Sequence, residues 1–210
     1  MEIRRLFLAL LLSFLFAIFL ALITLPKFLL LDRELSKRGI YLTAGSVKEG
    51  LRYVELKDVV LYGKDSRLVS FERLSLSFGV PYVEIYGSCR GGSLRIKAGM
   101  GYMEFKLRDF ACLEEFGKVS GDLTLKRGIF GRLTADRISV QGVSLEGLSL
   151  DFRGRTFLVQ ATAMGFKLIG DGQVVLDRRD ILKSKINGRL SGGGLAFTIG
   201  GNLYKLELKR

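Results

Sequence analysis

From Gly39 to the C-terminus the chain alternates apolar and polar residues with a period of two, and glycine rather than proline separates the alternating stretches, with 26 Gly against 2 Pro. Residues 52–57, 74–78, 102–107, 123–126 and 206–209 each read as a strand with one greasy and one polar face. Such strands belong in an antiparallel sheet that packs on one side and meets water on the other. Turn signals follow at short intervals, at Gly63-Lys64-Asp65, Gly79-Val80-Pro81, Gly91-Gly92, Gly99-Met100-Gly101, Gly128, Gly142, Gly154, Gly165, Gly170-Asp171-Gly172 and Gly200-Gly201. No helical stretches lie between them to carry parallel βαβ crossovers. The fold class expected is mainly β, a long antiparallel β-meander of about a dozen short strands joined by hairpins.

Glycine also falls inside strands, at Gly121, Gly147 and Gly188, where it marks a bulge or bend that lets a sheet curl. The apolar face of the C-terminal half collects Leu123, Leu125, Phe152, Phe157, Val159, Leu176, Leu195, Phe197 and Ile199. With no second helical layer to cover them, the sheet has to roll up into a taco or sandwich-like domain. Rolling has two outcomes: a packed core, or an incompletely filled trough that admits an acyl chain. In the second outcome these nine residues are the candidates for facing lipid.

Before the strands, residues 6–25 form one run without charge, proline or glycine. As a helix it spans roughly 30 Å, the thickness of a bilayer's hydrocarbon core. A cleaved signal peptide has a shorter apolar stretch, and small residues at the last and third-last positions before the cut. Cutting after Ala21 or Thr24 would instead put Phe19 or Leu22 at the third-last position. The run therefore reads as an uncleaved signal anchor. A short basic leader with Arg4 and Arg5 normally stays cytoplasmic, which sends the rest of the chain across the membrane. The expected organisation is a leader and transmembrane helix over 1–26, a short amphipathic helix over 27–39, and a periplasmic β-domain over 40–210. Phe28, Leu31 and Leu35 give the short helix its apolar stripe and Gly39 ends it. That stripe packs on the sheet or lies on the membrane, with Lys27 and Arg33 at the head groups.

Charge and side-chain chemistry narrow the function. Lys and Arg outnumber Asp and Glu by 33 to 21, a net charge of +12, so an exported domain of this kind meets anionic lipid head groups or acidic partners. No nucleic-acid-binding motif occurs. The absence of histidine removes the usual catalytic triads and transition-metal frameworks, and no phosphate-cradling glycine loop is present. Glu114 and Glu115 read as surface solvation. The chain is expected to be non-enzymatic and without cofactor or metal. Cys89, in a glycine-rich turn, and Cys112, in an expected short helical turn at Phe110-Ala111-Cys112-Leu113, are either a disulfide or two small buried thiols. Asn and Gln total five and the charged residues are rich in Lys, Arg and Glu, a thermophile-like bias.

Several segments carry a resemblance. After the anchor and short helix comes Gly39-Ile40, then Gly50-Leu51 with Leu56-Lys57-Asp58-Val59-Val60-Leu61. Gly91-Gly92-Ser93-Leu94 and Gly121-Asp122-Leu123 follow, and later Asn187-Gly188-Arg189-Leu190 with Ser191-Gly192. In these the chain resembles the type II secretion system protein N family, itself similar to AsmA-like proteins with repeated amphipathic strands. The resemblance implies a single-pass inner-membrane protein with a periplasmic β-domain. Its role would be an accessory or assembly component of a type II secretion or related envelope machine, with other envelope proteins as partners. The alternative it implies is a lipid-binding or lipid-transfer module of the AsmA-like type with an apolar trough, although the chain is short for a rod crossing the periplasm.

Overall fold

The computed structural model describes residues 12–17, 26–37, 39–63, 67–112, 117–140, 143–177, 183–202 and 206–209. Among the described residues, a helical piece over 12–17 and a helix, α1 (Lys27–Ser36), precede fifteen strands. The first seven are β1 (Tyr41–Thr43), β2 (Ser46–Glu49), β3 (Tyr53–Tyr62), β4 (Arg67–Phe78), β5 (Tyr82–Cys89), β6 (Gly92–Gly99) and β7 (Tyr102–Phe110). Then come β8 (Val119–Leu125), β9 (Ile129–Val140), β10 (Val143–Gly154), β11 (Thr156–Ala163), β12 (Phe166–Val175), β13 (Lys185–Gly192), β14 (Leu195–Gly201) and β15 (Leu206–Lys209). All belong to one sheet in which each strand from β3 onward pairs antiparallel with the next, while β1 and β2 lie in line along the first edge of β3. The meander expected from the alternation is therefore present.

Because every connection reverses the chain, connections fall alternately at two ends of the sheet. The β3–β4, β5–β6, β7–β8, β9–β10, β11–β12 and β13–β14 connections share one end. This is the disulfide end, since Cys89 and Cys112 lie there. Both prolines stand at the other, Pro81 in the β4–β5 turn and Pro26 at the start of α1. There the backbone N–H groups of Lys27 and Phe28 donate to the Glu49 carboxylate at 3.1 and 2.9 Å. A carboxylate on the orphan donors of a first turn suits the helix dipole and fixes where the helix begins. Phe28, Leu31 and Leu35 then pack against the sheet, the first of the two placements open to that stripe.

The inward side chains form two cores along the sheet. One gathers Val54, Leu56, Val59, Phe71, Leu74 and Leu76 with Phe110 and the two cysteines. The other spans β8 to β14 and is centred on Phe157, Val159, Leu168, Val174 and Leu190. Among the described residues no helix covers the second core, so the sheet itself supplies the cover by curling. Two glycines permit that curl in different ways. Gly147 has φ +57° and sits in a bulge where the β10–β11 register shifts between Glu146 and Ser149. At Gly170 a Cβ would fall onto the Arg189 carbonyl of the paired strand, so that backbone can approach only a glycine.

Three expectations are corrected. Gly170-Asp171-Gly172 is not a turn but lies inside β12, because it faces the close backbone of β13. Phe110-Ala111-Cys112 is not helical, since Phe110 ends β7 opposite Val119 and the next two residues are irregular. Cys89 is the last residue of β5, with the turn beginning one residue later. Among the described residues no helix is long and apolar enough to cross a membrane. The expected transmembrane helix over 6–25 lies mostly outside the described residues; its described piece, 12–17, is helical with exposed side chains.

The outward face carries the charge. Arg73 pairs with Glu55 at 3.3 Å, Asp151 with Arg132 at 3.4 Å and with Arg153 at 3.5 Å, and Arg95 with Glu84. The hydrogen bond and charge of Glu84 hold the Arg95 guanidinium above its ordinary value. These pairs are solvent-exposed and each contributes little to stability. They keep the outer face wet and fix which side of the sheet turns inward.

Candidate functional site

The nine lipid-facing candidates share one face of the sheet and one core. Phe157, Val159 and Phe197 are buried, Val159 completely at 0% exposure, and so have no surface to offer a ligand. Leu123, Leu125, Phe152, Leu176, Leu195 and Ile199 are half-buried and pack against the same cluster. Phe152 and Phe157 are cross-strand partners with ring centroids 5.6 Å apart. The Phe157 ring lies over the paired glycines Gly172 and Gly188, where added Cβ atoms would meet it. In this half of the molecule the inward face is a filled interior.

The unfilled part lies between the two cores. Val83, Ala98 and Met103 stand opposite one another across β5, β6 and β7, and Ile96 and Phe105 form the next row. These five are inward by register, half-buried, and members of neither core. Ile85, Leu94 and Leu107 border them on the side of the first core, and Leu123 and Leu125 on the side of the second. The two cores take up the inward residues on either side, and neither gathers these five residues of β5 to β7. The result is an apolar strip. Across β3 to β14 the inward positions of the described strands carry no charged side chain, while Glu84, Lys97 and Glu104 fall on the opposite face. Such a strip offers dispersion contact and exclusion of water and supplies no proton donor or acceptor.

The alternation of 102–107 identified the strand but could not show that Met103 and Phe105 face the gap between two cores. A usable signal was position, because the middle strands of a long meander are the ones furthest from both curled ends. The hollow bordered by Asp171, Gln173, Asn187, Arg189 and Thr198, about 750 Å³, lies over the outward residues of β12 to β14 and mixes these charged and polar side chains with the carbon of Ile199 and the neighbouring glycines. Its chemistry does not suit an acyl chain. Cys89 and Cys112 form a disulfide with Cα atoms 5.8 Å apart, inside the range such bonds require, and both are buried in the first core. Glu114 and Glu115 lie outside the described residues.

No family model matches the chain, and no solved structure matches it. A protein of Aquifex aeolicus (strain VF5), described as an uncharacterized protein, is 34% identical over 209 residues, which cover 99% of this chain and 95% of that one. The matched region takes in the apolar N-terminal stretch as well as the strands. The chain belongs to the same family as this Aquifex aeolicus protein.

Proposed function

We propose that the chain is a non-enzymatic, bilayer-anchored envelope protein whose β-domain holds lipid acyl chains along the strip of Val83, Ile96, Ala98, Met103 and Phe105. The observation that carries this reading is the strip itself, an uncharged apolar surface left half-covered between two filled cores. Anchoring is supported by the apolar run over 6–25 and by the exposure of Leu12, Phe14, Leu15 and Phe16 within it. The disulfide supports an oxidising compartment and therefore a periplasmic domain. Acyl handling is also what the AsmA-like resemblance implies.

Native mass spectrometry of the full chain released from lipid nanodiscs tests the reading. Bound phospholipid near unit stoichiometry is expected, and Phe105→Glu is expected to abolish it, since a carboxylate in the strip would have to be desolvated against hydrocarbon. A lipid-free protein, or a lipid load indifferent to Phe105→Glu, would contradict it.

One observation favours the assembly reading, a subunit of a type II secretion or related machine. The sheet order ends on β15, whose outer edge is a place for a partner strand to add. The two readings share the same anchored frame and part on the lipid measurement.

A further inference from the structure

The geometry points to the proline end of the sheet as a docking rim seated on the anionic surface of the bilayer that holds the anchor. This rests on the anchoring in the reading above and not on acyl binding. Four observations converge on that end. First, α1 begins there, tied to Glu49, so the apolar run that stops at Leu25 delivers the chain to the same edge. Leu29 and Leu30, 59% and 49% exposed, continue the apolar surface onto the first turn of α1.

Second, the hairpin tips at this end are greasy. Val80 is 96% exposed in the β4–β5 turn and Met100 is 93% exposed in the β6–β7 turn, with Leu51 and Phe130 exposed beside neighbouring turns. Third, the cations are asymmetric. Among the described residues, the strand connections at the proline end contain five Lys and Arg against one acid, and those at the disulfide end two Lys and Arg and no acid. Arg52, Lys126, Arg127 and Arg155 are exposed in the first set, and juxtamembrane cations each favour an anionic surface by about 1 kcal/mol. Apolar tips that dip into the interface and cations at head-group level are the combination by which a surface lies on anionic lipid.

Fourth, the apolar strip runs out at this rim. Val83, Ala98 and Met103 are the inward residues next to the Val80 and Met100 turns, so docking this end brings the end of the strip to the lipid. The opposite end supplies its own control. Met164, 76% exposed, occupies a Met-Gly turn between β11 and β12 that matches the Met100-Gly101 turn but faces away.

The test places a fluorophore on Met100→Cys or on Met164→Cys in the full chain, with Cys89 and Cys112 left oxidised, after reconstitution into vesicles. The vesicles contain phosphatidylglycerol and phosphatidylcholine with nitroxide-bearing lipid as quencher. Loss of most of the emission at position 100 and little at position 164 is expected. That contrast should shrink in pure phosphatidylcholine and in the Lys126→Glu, Arg127→Glu variant. Comparable quenching at the two positions overturns the inference, as does a contrast that survives both neutral lipid and charge reversal. Failure of the lipid-load measurement with the quenching contrast intact removes acyl handling and leaves the docking rim standing.

Discussion

Phe157 shows how single residues decide whether the sheet closes. Its ring fills the space above Gly172 and Gly188, so an aromatic on one strand does the packing for two neighbours that have no side chain. A methyl at Gly172 would collide with that ring, and Gly172→Ala is expected to lose about 1–3 kcal/mol in urea unfolding, the cost of overpacking an unyielding site. At Gly147, where nothing lies within 4 Å and only φ is demanding, Gly147→Asn should cost far less because Asn tolerates that region. Equal losses at the two sites would mean that the ring yields to the added methyl and does not set the requirement at Gly172. The sequence marks both glycines as special but not why. Gly147 reads as a bulge and is one; Gly170-Asp171-Gly172 reads as a turn because glycine's two uses, bending a chain and admitting a neighbour, look alike before the neighbour is known.

Elements were more legible than their environments. The alternating stretches at 52–57, 74–78, 102–107, 123–126 and 206–209 all fall on β3, β4, β7, β8 and β15, within a residue or so at their ends. A period of two is a local property, and a sheet that buries one face enforces it. The pairing of Cys89 with Cys112 was open in the sequence because it depends on the return path of β7 beside β6, which separates it from β5. The bond links residues 23 apart, and its loss is expected to cost about 3 kcal/mol. Hydrogen exchange of the Cys89→Ala, Cys112→Ala variant should place that cost on the amides of β5 and β7, which border the first core, while β11 to β13 keep their protection. Uniform loss of protection across the sheet would mean that the two cores unfold as one unit.

At the scale of the whole molecule, one continuous ribbon is gathered into two cores, and the strip between them follows from that division. The two cores occupy opposite sides of the central strands, so Met103 and Phe105 lie where neither supplies cover. Sequence periodicity placed Phe157, Val159 and Phe197 on the correct face but could not separate filled interior from open surface, because both use the same apolar residues. What distinguishes them is the curl, and that is a property of fifteen strands together. The most direct measurement is a map of where acyl chains touch the protein. The full chain is reconstituted with a phospholipid that carries a diazirine on its acyl chain, irradiated, and its peptides are sequenced by mass spectrometry. Adducts on Val83, Ile96, Met103 and Phe105, with none on Val159, Leu168 or Leu190, are the predicted result. Adducts confined to residues 6–25, or spread onto the buried residues of the second core, would contradict it.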